Sequence, residues 1–168
     1  IILGHSNKEL NDAVINTVLN YGIEYAQPHV SEITLAKQIK DIIPNTDMVA
    51  FGNAGTDTLQ FAMRIARAYS GRPKVVKFGG GYRSWSDSHN IDRSKLSVAD
   101  TSGVLPAILE NNVVLPYNDL PALTDYLEKE HTKVACVIVE PIIHGLGILP
   151  NSDFLEGIQS LCQSYDIA

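Results

Sequence analysis

The segment KVACVIVE, residues 133–140, has apolar side chains on both faces of the strand that it predicts. A strand of this kind is buried on both sides, which is typical of central strands in parallel sheets. Parallel strands need helices to connect and cover them, and amphipathic helical patterns alternate with short apolar runs along this chain. The sequence therefore predicts an α/β fold with a mainly parallel sheet flanked by helices.

The predicted elements follow from helical and strand periodicity together with turn residues. Strands 48–51, 74–78 and 134–140 are predicted to lie parallel in one sheet, with helix 56–70 packed on it. The other predicted elements are helices 6–22, 31–44, 118–130 and 152–165, and strand 113–115. The first helix is predicted to begin with a capping box of Ser6 and Glu9. The irregular stretch 79–112 is long enough that we expect it either to carry function or to be disordered.

Composition excludes several classes of partner. The 168 residues have a formal net charge of −6 and no basic run, which argues against nucleic acid or an anionic membrane as a partner. No stretch has the length of a transmembrane helix, and the five histidines lack the paired spacing of metal ligands. Cys136 and Cys162 lie in apolar patterns and indicate core thiols in a reducing, cytoplasmic setting. Because Ile1 is not a methionine, we expect the sequence to be a segment of a longer chain.

The turn GNAGT, residues 52–56, joins the predicted strand 48–51 to helix 56–70. One interpretation is a tight turn in which glycine relieves steric strain and Thr56 or Asp57 caps the helix. The other is an anion site, because the first turn of a helix presents unpaired N–H groups and small side chains let a phosphate approach them. The turn by itself leaves both interpretations open.

Two other stretches lie at the carboxyl ends of predicted strands, where α/β sheets bind ligands. In FGGGYRSWSDS, Tyr82 and Trp85 either anchor their own loop or form the wall of a site, and a ring there could stack on a flat ligand whose phosphate lies at Gly55 and Thr56. In VIVEPIIHGLGILP, Glu140 follows a buried strand. Its carboxylate either accepts N–H groups of its own loop or serves the site.

These three motifs stand in the order NAGTD, KFGGGYRSWSD and VIVEPIIHGLGILP, with LGHSNKELNDAV and RIARAYSGRPKVVKF around them. In that combination the chain resembles the class III aminotransferases, pyridoxal-phosphate enzymes of fold type I, and most closely the glutamate-1-semialdehyde 2,1-aminomutase branch. The resemblance spans residues 3–166. It implies one partial domain over 1–168, with an N-terminal helical segment at 1–30 and the first part of the cofactor-binding large domain at 31–168.

The resemblance also implies roles for individual residues. Ala54, Gly55 and Thr56 match the turn that holds the phosphate of pyridoxal 5′-phosphate. Tyr82 matches the aromatic residue that stacks on the pyridine ring, and Glu140 matches the acid that supports the site. Three departures are visible. Ala54 replaces a serine, Arg83 and Ser84 replace His-Gly, and Gly145 replaces an Asn or Glu. Arg83 and Trp85 are the predicted substrate contacts.

The resemblance places the family's Schiff-base lysine and the aspartate that pairs with the pyridine nitrogen beyond Ala168, so it implies no catalytic residue and no metal ligand within this segment. We therefore expect the segment alone to be inactive. The full-length enzyme is expected to be a cytoplasmic homodimer that moves an amino group between an amine or amino acid and a carbonyl compound. Two alternatives remain: the aminomutase of tetrapyrrole biosynthesis, and a non-catalytic protein that binds a phospholigand on the same fold.

Overall fold

Strand β1 (Lys74–Phe78) lies at the centre of a parallel sheet, between β2 (Asn112–Leu115) and β3 (Val134–Ile138). These elements come from a computed structural model that describes residues 2–23, 28–82, 84–90 and 102–168. Both pairings of β1 are parallel, with Val76 opposite Val113 on one side and Val137 on the other. The predicted parallel pairing of 74–78 with the strand that starts near 134 is therefore confirmed.

Helices cover both faces of this sheet. The helices of the described residues are α1 (Lys8–Tyr21), α2 (Val30–Ile42), α3 (Gly55–Ser70), α4 (Asp87–Asn90), α5 (Pro106–Glu110), α6 (Leu120–Glu130) and α7 (Phe154–Tyr165), with a 3-10 turn at His131–Lys133. On one face, Met63 and Ala66 of α3 pack against Val75 and Cys136. On the other face, α6 and α7 contribute the apolar side chains of a larger cluster that includes Val76, Phe78, Leu123, Leu127, Val134, Phe154 and Ile158.

Successive residues of β1 explain why the sheet needs both layers. Val75 points into the α3 cluster and Val76 into the cluster formed with α6 and α7. This alternation is the two-residue period of a strand, here with an apolar side chain on each face. The predicted α/β class with a parallel sheet flanked by helices is confirmed.

The structure corrects two local predictions. Residues 48–51 form no strand, because this short apolar run pairs with none of the described strands. Met48 in this run is 90% exposed. The first helix is capped by Asn7 rather than Ser6, because the Asn7 side chain accepts the N–H of Leu10 at 3.0 Å while Ser6 has a positive φ of 61°. Asn7 lies one position after Ser6 and, like serine, has a short polar side chain that can accept a backbone N–H at the start of a helix.

The chain divides into two compact units, Ile1–Phe51 and Gly52–Ala168. The first contains α1 and α2, neither of which has a buried residue among its described positions. The predicted division into 1–30 and 31–168 concerns the domains of the whole protein and stays a prediction. None of the described helices is long and apolar enough to span a membrane.

The contact between α6 and α7 generates a testable prediction. A Cβ atom added at Gly157 of α7 would lie 2.3 Å from the end of the Leu120 side chain, so that side chain must move from its packed position when residue 157 carries a Cβ. In Gly157→Ala the cost of overpacking exceeds the gain in helix propensity, and we expect the free energy of unfolding to fall by about 1–2 kcal/mol. Urea denaturation of the whole protein measures this change.

Two controls make the result specific. A Cβ at Gly145 would meet no atom within 4 Å, so Gly145→Ala should leave the unfolding midpoint nearly unchanged. Leu120→Ala removes the obstructing side chain. In a protein that already carries Leu120→Ala, Gly157→Ala should therefore lower the free energy of unfolding by less than it does in the wild-type protein. A Gly157→Ala variant as stable as the wild-type protein would contradict the close approach.

Candidate functional site

A cavity of about 320 Å³ lies at the carboxyl ends of β1 and β3, next to the first turn of α3. Side chains and backbone from both strands, from α3 and from the loops after the strands line it: Gly55, Thr58, Leu59, Lys77, Phe78, Gly81, Tyr82, His89, Tyr117, Ile138, Val139, Glu140, Pro141 and Ile143. The lining is mainly apolar with a few polar groups, which is the usual composition of a small-molecule site. Its position is the one where α/β sheets bind ligands.

The first turn of α3 presents backbone donors beside this cavity. The N–H groups of Asp57 and Thr58 donate to the carbonyl oxygen of Ala54 at 3.0 and 3.2 Å, and those of Gly55 and Thr56 have no acceptor within the helix. Ala54 stands at the N-cap, and its side chain offers no capping bond. The helix terminus therefore has two N–H groups and a partial positive charge available for an anion.

Glycine at position 55 leaves room for the ring of Tyr82 to lie close to the backbone. A Cβ atom at Gly55 would lie 3.1 Å from the Tyr82 hydroxyl oxygen and 3.3 Å from two ring carbons. The ring thus packs directly against the helix terminus, and a Cβ at position 55 would require the ring to shift by a few tenths of an ångström. The small residues of the turn 52–56 therefore have a steric explanation in this contact, in addition to the backbone freedom that glycine gives a tight turn.

Glu140 fixes the loop that carries Tyr82. One carboxylate oxygen accepts the backbone N–H of Tyr82 at 2.8 Å, and the other accepts the backbone N–H of His144 at 3.1 Å. The imidazole Nδ1 of His144 also bonds to this second oxygen. One side chain therefore joins the loop after β1 to the loop after β3, and the two loops form adjacent walls of the cavity.

The protonation of Glu140 follows from these contacts. Burial raises the pKa of the carboxyl group, but the hydrogen bonds from His144 and from the Tyr82 backbone favour the charged form and leave the pKa lowered overall. Burial, together with the nearby charge of Glu140, raises the pKa of Tyr117, whose hydroxyl donates to the carbonyl oxygen of Pro141 at 2.8 Å. Glu140 is thus a charged acceptor in the cavity wall.

Sequence reasoning missed two polar residues of the cavity, Lys77 and His89. Lys77 is only 5% exposed, and its ammonium group donates to the carbonyl oxygen of His89. His89 is 4% exposed. Burial and the neighbouring Lys77 ammonium lower the pKa of the imidazole to about 4. The available signal was the position of Lys77 within KVVKF, a strand with apolar residues on both faces.

The structure brings some of the predicted site residues together and not others. Gly55, Tyr82 and Glu140 line one cavity. Ala54 and Thr56 are the neighbours of Gly55 in sequence and do not line the cavity. Trp85 is 85% exposed and does not line the cavity, while Arg83 lies outside the described residues. Gly145 is exposed at the surface. Across the described ranges, no group of three histidine, cysteine, aspartate or glutamate residues is placed to hold a metal ion.

The sequence matches the family model for aminotransferase class III over residues 1–168. A curated relative, the glutamate-1-semialdehyde 2,1-aminomutase of Persephonella marina, is 34% identical over 98% of this chain, and the match covers 40% of that relative. This chain therefore spans about 40% of the length of such a relative.

Solved structures give the same result for the fold. An omega-transaminase from Sphaerobacter thermophilus is 30% identical with a TM-score of 0.87, and the match covers 98% of this chain and 40% of that one. A taurine:2-oxoglutarate aminotransferase from Bifidobacterium kashiwanohense, solved in complex with PLP and glutamate, is 25% identical with a TM-score of 0.81, covering 98% of this chain and 42% of that one. Both are much longer chains with this architecture over the matched part.

The low pKa of His89 generates a prediction about acid stability. The folded pKa of about 4 lies below the ordinary value of 6.5, so between these pH values the unfolded chain binds a proton that the folded chain does not. Lowering the pH from 6.5 to 4 should therefore reduce the free energy of unfolding, and this contribution should level off below pH 4. Urea midpoints of the whole protein across this range measure the effect.

The matched variant for this measurement is His89→Phe, which keeps a buried ring without a titratable group. Its unfolding midpoint should fall less steeply between pH 6.5 and 4 than that of the wild-type protein. Equal slopes for the two proteins would show that His89 does not titrate with a lowered pKa.

Proposed function

This chain belongs to the class III aminotransferase family, and we propose that the whole protein is a pyridoxal-phosphate-dependent enzyme that moves an amino group between an amine or amino acid and a carbonyl compound. The observation that carries the proposal is the cavity in which a helix N-terminus, an aromatic ring and a charged carboxylate converge, at Gly55, Tyr82 and Glu140. The relative solved with PLP supports the choice of cofactor.

The residues present fit this cofactor. A phosphate needs backbone donors without another acceptor and a close approach to them. No described residue accepts the N–H groups of Gly55 and Thr56 at the start of α3, and Gly55 has no side chain to block the approach. A flat ring needs an aromatic or apolar wall, which Tyr82 and Ile138 provide in the same cavity. The cavity volume of about 320 Å³ is within the range of small-molecule sites.

Each residue then has a separate task. The N–H groups of Gly55 and Thr56 would hold the phosphate, the ring of Tyr82 would pack on the pyridine, and Glu140 would keep the Tyr82 loop in place through its bond to the backbone N–H. When bound, pyridoxal phosphate supplies the electron-withdrawing ring on which amino-group transfer depends. The apolar lining excludes water from this ring and strengthens the polar contacts around it.

The identity of the amino donor and carbonyl acceptor is a finer proposal. The 34% identity to the Persephonella marina aminomutase favours an intramolecular amino shift as the second candidate function.

We also propose a cytoplasmic homodimer. The apolar side chains of Phe61, Ile65 and Tyr69 lie exposed at four-residue intervals along α3, and a face of this kind is typical of a surface that a partner covers.

An assay of the whole protein tests the proposed function. We expect pyridoxal phosphate to bind stoichiometrically, to give the visible absorbance of a protein-bound cofactor, and to support amino transfer from an amine or amino acid to a keto acid. An aminomutase would instead convert glutamate 1-semialdehyde without any added acceptor. Absence of both cofactor binding and turnover would favour the non-catalytic alternative.

The aromatic wall generates a separate prediction about cofactor affinity. In Tyr82→Leu the wall stays apolar but loses its ring, and an aromatic pair contributes about 0.5–1.5 kcal/mol beyond its buried area. The dissociation constant of pyridoxal phosphate should therefore rise about 2- to 13-fold in the whole protein, as measured by equilibrium titration. Tyr21→Leu is the matched control, because Tyr21 is an exposed tyrosine of α1 that does not line the cavity. An unchanged dissociation constant in Tyr82→Leu would contradict the stacking role.

A further inference from the structure

The side chain of Asn118 joins two segments that are far apart in sequence. Its amide nitrogen Nδ2 donates to the carbonyl oxygen of Leu149 at 3.0 Å, and its Oδ1 accepts the backbone N–H of Asn151 at 2.9 Å. The two bonds span 31 and 33 positions. Asn118 therefore connects the chain just after β2 to the far end of the segment between β3 and α7, residues 139–153, which we call the β3–α7 loop.

The backbone at Asn118 limits which residues can stand there. It adopts the left-handed conformation, with a φ of 64°. This conformation is uncommon outside glycine, and asparagine and aspartate adopt it more readily than other residues do. Glycine would meet the backbone requirement alone, but asparagine adds a side chain that both donates and accepts. Residue 118 therefore combines a turn conformation with the two bonds to the β3–α7 loop.

The near end of the β3–α7 loop is held by the preceding residue, Tyr117, whose hydroxyl donates to the carbonyl oxygen of Pro141 at 2.8 Å. Between its two ends the loop folds back on itself. The backbone N–H of Ile143 donates to the carbonyl oxygen of Ile148 at 3.0 Å, and the N–H of Ile148 donates back to Ile143 at 3.3 Å. Two consecutive residues after β2 therefore fix both ends of a folded loop.

The β3–α7 loop forms one wall of the cavity. Glu140, Pro141 and Ile143 line the cavity, and the side chain of Ile143 is buried. Glu140 also accepts the backbone N–H of Tyr82 at 2.8 Å, so the position of this loop determines where the loop after β1 is held. Asn118 does not line the cavity. It therefore acts on the cavity through the loop and not by touching a ligand.

We propose that Asn118 is a positioning residue of the ligand site, whose carboxamide holds the β3–α7 loop, and with it Glu140, in the place that the bound small molecule requires. The two bonds order the loop before the ligand arrives, so binding does not have to supply the free energy of ordering it. This inference deepens the proposed function, on which it rests for the choice of pyridoxal phosphate as the ligand. Loss of the carboxamide should loosen this wall and leave the sheet intact.

Asn118→Gly removes the carboxamide without straining the backbone, because glycine adopts the left-handed conformation freely. In the whole protein, equilibrium titration should show the dissociation constant of pyridoxal phosphate rising about tenfold, the equivalent of ~1.4 kcal/mol. Asn118→Asp keeps an acceptor for the N–H of Asn151 but loses the donor to Leu149, so it should recover part of the affinity.

Asp119→Ala is the matched control for both variants. The Asp119 carboxylate accepts the backbone N–H of Ala122 at 2.9 Å at the start of α6, so this variant loses a side-chain bond next to Asn118 but none of the bonds to the β3–α7 loop. Its dissociation constant for pyridoxal phosphate should stay within about twofold of the wild-type value. An increase equal to that in Asn118→Gly would overturn the positioning role, because loss of general stability would then explain both.

Amide hydrogen exchange of the cofactor-free protein measures how firmly the wall is held without any ligand. The backbone N–H of Tyr82 is bonded to Glu140 and lies in a different loop from Asn118. In Asn118→Gly its exchange should become about tenfold faster relative to that of Val76 in the central strand. Asp119→Ala should leave this ratio unchanged, since a general loss of stability speeds both amides. If Asn118→Gly does not fold, Asn118→Asp serves for both measurements with smaller effects in the same direction.

The outcomes distinguish this inference from the proposed function. A wild-type protein that binds no pyridoxal phosphate would overturn the proposed function, while the exchange ratio of Tyr82 to Val76 would still test Asn118. If the wild-type protein binds pyridoxal phosphate and Asn118→Gly binds it equally well, the positioning role is wrong whether or not the enzyme turns over. Weaker binding with an unchanged exchange ratio would overturn the route through Glu140. Weaker binding together with faster exchange at Tyr82 supports the inference.

Discussion

The parallel pairing of β1 with a strand on each side is the constraint on which the rest of the second unit depends. Because β2 and β3 run in the same direction as β1, the loops that follow β1 and β3 emerge at one edge of the sheet. That edge adjoins the first turn of α3, which packs on the sheet through Met63 and Ala66. A ligand cavity therefore forms where the strands end, and Glu140 ties its two loops together by accepting the N–H groups of Tyr82 and His144.

The sequence was sufficient to predict the layers of the fold, because burial on two faces leaves a clear pattern. The run from Val134 to Ile138 is apolar throughout, and helix 56–70 has a strong amphipathic stripe, so both were predicted within one or two residues. Residues 48–51 show the limit of this reasoning. A short apolar run predicts a strand, but a strand also needs a neighbour with free N–H and C=O groups, which local sequence does not specify.

The site was predictable where backbone chemistry determines it and not where tertiary packing does. A small turn before a helix is compatible by local rules with an anion site as well as with a plain tight turn, and the structure places Gly55 at the cavity. The pairing of Glu140 with the Tyr82 backbone spans 58 positions in sequence and has no local signature. Lys77 and His89 were missed for the same reason, since a charged residue in a short strand and a histidine in a polar loop are usually exposed.

We propose that the first turn of α3 binds the phosphate of pyridoxal phosphate, with the ring of Tyr82 beside it. A crystal structure of the whole protein with pyridoxal phosphate would locate both groups. We expect phosphate oxygens within about 3 Å of the backbone nitrogens of Gly55 and Thr56, a normal hydrogen-bond distance, with the pyridine ring in contact with Tyr82. A phosphate bound away from the start of α3, or a pyridine ring that does not touch Tyr82, would contradict it.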